Sequence, residues 1–246
     1  MDLLTDVEKL KKYICEKLVL ENVELGEEYF YASLPLCIID AVFSIGVNYE
    51  QSTAPTVKRW CEWSGWQLYG HPAGNSHAID DLVKLYEDKH RDFDFFATNV
   101  FVNRQRTSSK SGILKAEAVY LFAKTLSKFG IQTLDDTKNG ILHDIEAEAA
   151  IRKIKGQASG ISYKYFSMLA GSESLVKADR MICRFVAQAL EKKEHEIKPD
   201  YAARLVISTA NELRKKFPHL NPRLLDYAIW NYQRGVKSSA LQGSPL

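Results

Sequence analysis

Ile151-Arg152-Lys153-Ile154-Lys155-Gly156-Gln157-Ala158-Ser159-Gly160-Ile161-Ser162-Tyr163-Lys164-Tyr165-Phe166-Ser167-Met168-Leu169-Ala170-Gly171 reads as two helical segments joined by a short turn of small residues, Gly156 to Gly160. Glycines let the chain reverse tightly and bring backbone N–H groups to the surface. Such groups at a helix N-terminus form an anion site suited to a phosphate. Lys153, Lys155 and Lys164 add positive charge around the turn. A plain αα-hairpin, in which Gly160 only begins the next helix, accounts for the same residues, so both readings stand.

Working outward, nearly every periodic segment reads as helix. Thr5 with Glu8 is a capping box opening a helix to about Leu20. Tyr29 to Ile45 is apolar all round, which predicts a central buried helix with Pro35 near its start. Pro55, Pro199 and Pro222 each stand where a helix begins. Further helices are expected over Ser76–His90, Asp92–Val102, Leu114–Phe129, Asp144–Lys155, Ile161–Ala170 and Ala178–Lys192, with Gly130 a C-cap. Strand alternation never persists. The expectation is therefore an all-α bundle of about ten helices, one unit over 1–237 with a frayed tail at 238–246.

The chain has 246 residues, with 33 Lys+Arg against 31 Asp+Glu and 46% hydrophobic residues. That composition excludes a disordered or collagen-like chain. No run approaches the ~18 apolar residues of a membrane span, and Met1 to Asp6 carries no secretory signal, so an intracellular protein with no membrane partner is expected. Cys15, Cys37, Cys61 and Cys183 are far apart, which argues against a zinc or iron–sulfur site and for free thiols; Cys15 and Cys37 read as small core residues. The net charge of +2 hides an asymmetry. Residues 1–150 hold 16 Lys+Arg and 23 Asp+Glu, whereas 151–246 hold 17 and 8. A basic half attracts polyanions; a solvated basic face is the alternative.

Beyond Gly171 comes a short connection and then Val176-Lys177-Ala178-Asp179-Arg180-Met181-Ile182-Cys183-Arg184-Phe185. Helix, glycine turn, helix, short connection and an Asp at the head of the next helix: this order resembles the helix-hairpin-helix (HhH-GPD) DNA glycosylase superfamily. Upstream, Ser111-Gly112-Ile113-Leu114-Lys115-Ala116-Glu117-Ala118 is similar to that family's small-residue, Lys-Ala, acidic helix start. The resemblance covers about residues 110–195 and extends more weakly to Tyr29–Trp60.

The resemblance implies a helical bundle with a central cleft, a monomer acting on double-stranded DNA, and no cofactor beyond a monovalent cation at the turn. It implies phosphate contacts from Lys155, Gly156, Gln157, Ala158, Ser159, Gly160 and Lys164. Asp179 matches the family's essential acid, which stabilises positive charge on the sugar as the base leaves. As the first residue of a helix, Asp179 is equally an N-cap. Gly160 or Ile161 stands where lyase-competent members carry a lysine, so the implied reaction is monofunctional hydrolysis of the N-glycosidic bond of a modified base. The turn has Ala158 for the family's second glycine, and Ser44 to Asn48 lack its Gln. Those departures keep two alternatives open: a catalytically inactive DNA-binding module on the same fold, or a helical scaffold used for something else.

Two further segments are candidates. Asn103 to Gly112 interleaves hydroxyls with Arg104, Arg106 and Lys110, and suits either a phosphate grip or a solvated loop. Trp60, Trp63 and Trp66 recur every three residues; they suit either a base pocket together with Lys177 or, as stripes at this spacing more often do, core packing.

Overall fold

Prolines and glycines set the element boundaries. The computed structural model describes residues 3–70, 77–137 and 145–235. Along them run α1 (Leu3–Lys17), α2 (Leu34–Phe43), α3 (Ala54–Ser64), α4 (Ile79–Asp88), α5 (Phe93–Phe95), α6 (Lys115–Lys128), α7 (Leu134–Thr137), α8 (Ile145–Arg152), α9 (Ile161–Leu169), α10 (Arg180–Ala189), α11 (Pro199–Leu213) and α12 (Pro222–Gln233). The described residues are all-helical, and two isolated antiparallel bridges replace any strand. The frayed tail expected at 238–246 lies outside the described residues, as do His71 to Ser76.

Where the helices differ from expectation, the backbone gives the reason. The helix expected over Tyr29–Ile45 begins only at Leu34, after Ser33 in extended conformation, so that Pro35 falls in the first turn. A helix running through Pro35 from Tyr29 would lose the bond to the Tyr31 carbonyl and drive the ring against it. Pro55, Pro199 and Pro222 likewise sit in first turns. Asp92–Val102 is not a continuous α-helix. Asp92 caps the short α5, and the chain widens to a π-turn over Phe96–Val100. The Thr5–Glu8 capping box is not formed, because α1 already runs through Thr5 and buries Asp6.

The chain divides into two compact units, one of residues 26–171 and one of 1–25 with 172–246, where the sequence read as a single unit. In the first, α2 is the axis, with every one of its residues buried. It packs on α3, α6 and α9; α4 lies on α6, and α8 on α6 and α9. Beside it an aromatic cluster forms around Trp60, whose ring lies 5.4 Å from Trp63, 5.5 Å from Trp66 and 5.4 Å from Phe101. In the second unit α1 packs on α10 and α11, and α12 on both α10 and α11, around Phe185, Val186, Leu205 and Leu225. Cys15 departs from expectation: it is exposed on α1, whereas Cys37 is buried, and none of the four cysteines is in a disulfide.

Candidate functional site

The turn between α8 and α9 is held from three sides. Gly156 and Gly160 take φ of +90° and +73°, a region that residues with a Cβ rarely enter. Gln157, read as a phosphate contact, is 2% exposed; its side-chain oxygen accepts from the Ser162 hydroxyl and its carbonyl accepts from Gly160 N at 3.0 Å. Arg152 Nε donates to the Ala158 carbonyl at 2.9 Å. Lys155, Ala158 and Ser159 are exposed at the tip, and Lys164 is half-buried on α9. Gln157 therefore braces the turn from inside, while its neighbours face outward.

The 103–112 loop packs directly on this turn. A Cβ at Gly156 would stand 2.3 Å from Thr107 Cβ, so only glycine permits the approach. The loop is held by hydrogen bonds to α3 and within itself. Asn103 Nδ2 donates to Thr56 Oγ1 at 3.0 Å, Thr107 N to the Ile113 carbonyl at 2.9 Å, and Arg106 Nη1 to the Gly112 carbonyl at 2.9 Å. Arg104 is exposed and paired with Asp94, and Lys110 is exposed. The structure thus brings Arg106, Thr107 and the Gly156–Gly160 turn together in one unit.

Two buried polar centres in the same unit went unread in the sequence. Lys115, 3% exposed at the start of α6, donates to the Phe43 and Ile45 carbonyls, each at 2.9 Å, and to Gln105 Oε1 at 3.2 Å. It satisfies the open carbonyls at the end of α2 and ties the loop to them. Burial pushes its pKa down to about 8. Asp40, wholly buried on α2, accepts from the hydroxyls of Ser44 at 2.6 Å, Tyr31 at 2.7 Å and Tyr49 at 3.1 Å. Burial first, and then the Asp40 charge, raise the Tyr31 and Tyr49 phenols. The Asp40 partners lie within nine residues of it, on either side of α2, whereas two of the Lys115 partners lie about seventy residues away.

Asp179 belongs to the other unit. It caps α10: its Oδ1 accepts from Met181 N at 2.7 Å and Ile182 N at 3.2 Å. Its Oδ2 accepts no hydrogen bond among the described residues. The N-cap reading of the sequence is therefore correct, and it uses only one of the two oxygens. Lys177 N donates to Asp226 Oδ1 at 3.1 Å. Asp226 is a buried carboxyl 9% exposed. Burial and then the Asp179 charge push it well above the usual carboxylate range, against the smaller pull of Lys177 and Arg223.

The tryptophans are core. Trp60 is fully buried, its ring enclosed by Trp63, Trp66, Tyr86, Phe96 and Phe101, so it offers no face to a base. Trp63 is half-buried against the same cluster. Among the described residues no group of three or more His, Cys, Asp or Glu could hold a metal, and no helix is long and apolar enough to cross a membrane.

A family model described as a domain of unknown function, DUF8548, matches residues 8–234. The chain belongs to the DUF8548 family. No curated protein and no solved structure matches it. The DUF8548 match spans both units and contains every candidate above: the 103–112 loop, the Gly156–Gly160 turn, Asp179 and Asp226.

Proposed function

We propose that the chain binds double-stranded DNA through the Gly156–Gly160 turn and hydrolyses the N-glycosidic bond of a modified base, with Asp179 the acid at the reacting centre, on a fold akin to the helix-hairpin-helix glycosylases. The observation that carries this reading is the state of Asp179. Two backbone N–H groups of α10 fix its Oδ1, and no described residue engages Oδ2. A carboxylate anchored by one oxygen is pre-aligned. Its other oxygen is available to stabilise positive charge growing on the sugar as the base departs, or to orient the attacking water. The base itself must leave the stack to be reached.

In this reading the exposed Lys155 and the backbone of Ala158 and Ser159 hold a phosphate, with Lys164, Arg106 and Lys110 adding charge, while the buried Gly160, its N–H taken by the Gln157 carbonyl, shapes the turn rather than touching the phosphate. Arg104 joins them only by leaving Asp94. Neither Gly160 nor Ile161 can form a Schiff base, so water is the nucleophile and no strand cleavage follows. A second reading, DNA binding without chemistry, draws on the same residue: the N-cap bonds alone account for an acid at Asp179.

The test is a panel of duplexes, each with one modified or mismatched base, scored for abasic product beside binding measured from 50 to 200 mM salt. About four phosphate contacts predict roughly a hundredfold loss of affinity over that range, and Lys155→Glu weakens binding further. Binding without abasic product from any duplex selects the second reading. Binding to no duplex at low salt removes both.

A further inference from the structure

The stretch leading into α10 is not free to choose its path. Between α9 and α10 it runs as an irregular segment, and α12 holds it at two points. Arg223 N, at the start of α12, donates to the Glu173 carbonyl at 3.1 Å. One turn later on α12, Asp226 Oδ1 accepts from Lys177 N at 3.1 Å. The N-terminal end of α12 thus grips the segment at residues 173 and 177, once through the Arg223 backbone N–H and once through the Asp226 side chain. Val176 between them is buried in the core of this unit. Two residues past the second grip stands Asp179.

We infer that Asp226 is a positioning residue for Asp179: its buried carboxyl pins the Lys177 backbone and thereby sets where the Asp179 carboxylate stands at the head of α10. This rests on the reading of Asp179 as the group at the reacting centre. An apolar side chain at position 226 would suit the core better, because a buried polar group costs stability unless it is bonded. The Lys177 N–H gives it that bond. The charged and titratable groups acting on Asp226 are Asp179, Lys177 and Arg223. Burial and then the Asp179 charge push the Asp226 carboxyl well above the usual carboxylate range, and its Oδ1 holds the Lys177 N–H. A neutral amide oxygen can take the same N–H, which makes asparagine the discriminating replacement.

The experiment compares wild type, Asp226→Leu and Asp226→Asn in the full chain by amide hydrogen exchange and by base release from the same panel of single-lesion duplexes. Asp226→Leu is expected to speed exchange of the Lys177 amide at least about tenfold. It should also lower kcat at least about tenfold, with KM within about twofold. Asp226→Asn is expected to restore both to within about threefold of wild type. Equal damage from Asn and Leu overturns the inference, as does a Leu variant with unchanged Lys177 exchange and unchanged kcat. Exchange that follows the expected pattern in a protein releasing no base upholds the grip on Lys177 and overturns only the glycosylase reading. Should Asp226→Leu fail to fold, wild-type exchange of the Lys177 amide decides: protection of at least about tenfold over an unstructured peptide supports the inference, and an unprotected amide overturns it.

Discussion

Gly156→Ala tests the packing of the 103–112 loop on the α8–α9 turn. Two costs apply. Residue 156 has φ of +90°, and forcing an L side chain into that region costs about 1–2 kcal/mol. The new Cβ would also stand 2.3 Å from Thr107 Cβ and 2.4 Å from Thr107 Oγ1. Relieving such an overlap in packed surroundings adds about 1–3 kcal/mol. The expected loss is therefore about 2–5 kcal/mol. Gly46→Ala is the control: it has φ of +73° but nothing within 4 Å of its Cβ, so only the first cost applies. Trp60, Trp63 and Trp66 lie within residues 26–171 and Trp230 in the other unit, so urea unfolding followed by tryptophan fluorescence in a Trp230→Phe background reads the right unit. Adding Thr107→Gly to Gly156→Ala removes the obstructing atoms and should recover most of the second cost, a favourable coupling of about 1–3 kcal/mol. A Gly156→Ala variant no less stable than Gly46→Ala, or no recovery in the double variant, refutes the close packing.

Three other variants test the buried polar centres and the loop. Lys115→Met leaves the Phe43 and Ile45 carbonyls and Gln105 without their donor, and should cost about 2–5 kcal/mol in urea unfolding. The Lys115 pKa falls from 10.5 unfolded to about 8 folded, so between those values the unfolded chain binds the extra proton. Wild-type stability measured against Lys115→Met should then climb from pH 8 toward 10.5 and stay level below 8. Asp40→Asn replaces a charged acceptor of three hydroxyls by a neutral one and should cost about 2–4 kcal/mol by the same assay. Arg104→Ala breaks an exposed pair with Asp94 and should change stability by less than about 1 kcal/mol. If Arg104 turns to a phosphate in the complex, the same variant lowers the salt slope of DNA binding by about 0.9.

The helices were legible because their signals are local. Pro55, Pro199 and Pro222 each open a helix in the first turn, Asp179 caps α10, and Gly160 opens α9 at positive φ. Boundaries slipped where a local rule met a competing one. Pro35 shortened α2 from its N-terminal side, and the chain past Phe95 widened to a π-turn although its apolar spacing suited a helix. The candidate site was half legible. Gly156 and Gly160 announced the turn, but composition could not tell that Gln157 points inward or that Arg104 is occupied by Asp94. Asp40, Lys115 and Asp226 were illegible because a charged residue in an apolar run says that a partner must exist without saying which. The Lys115 partners lie about seventy residues away at and just past the end of α2, the Asp226 partner Lys177 lies 49 away, and the Asp40 partners Tyr31 and Tyr49 stand only nine away but beyond the helix itself. The tryptophan spacing was readable only as two possibilities, and burial of Trp60 decides for the core.

In the proposed glycosylase reaction Asp179 acts at the reacting centre as well as capping α10. Asparagine caps as well as aspartate, so Asp179→Asn should fold with a Tm within roughly 2–4 °C of wild type and bind duplex DNA within about threefold. On the duplex that wild type depurinates or depyrimidinates fastest, single-turnover release of the base should fall at least about a hundredfold, the scale lost when a charge-stabilising group is removed from a reacting centre. Base release by Asp179→Asn at the wild-type rate would contradict the account.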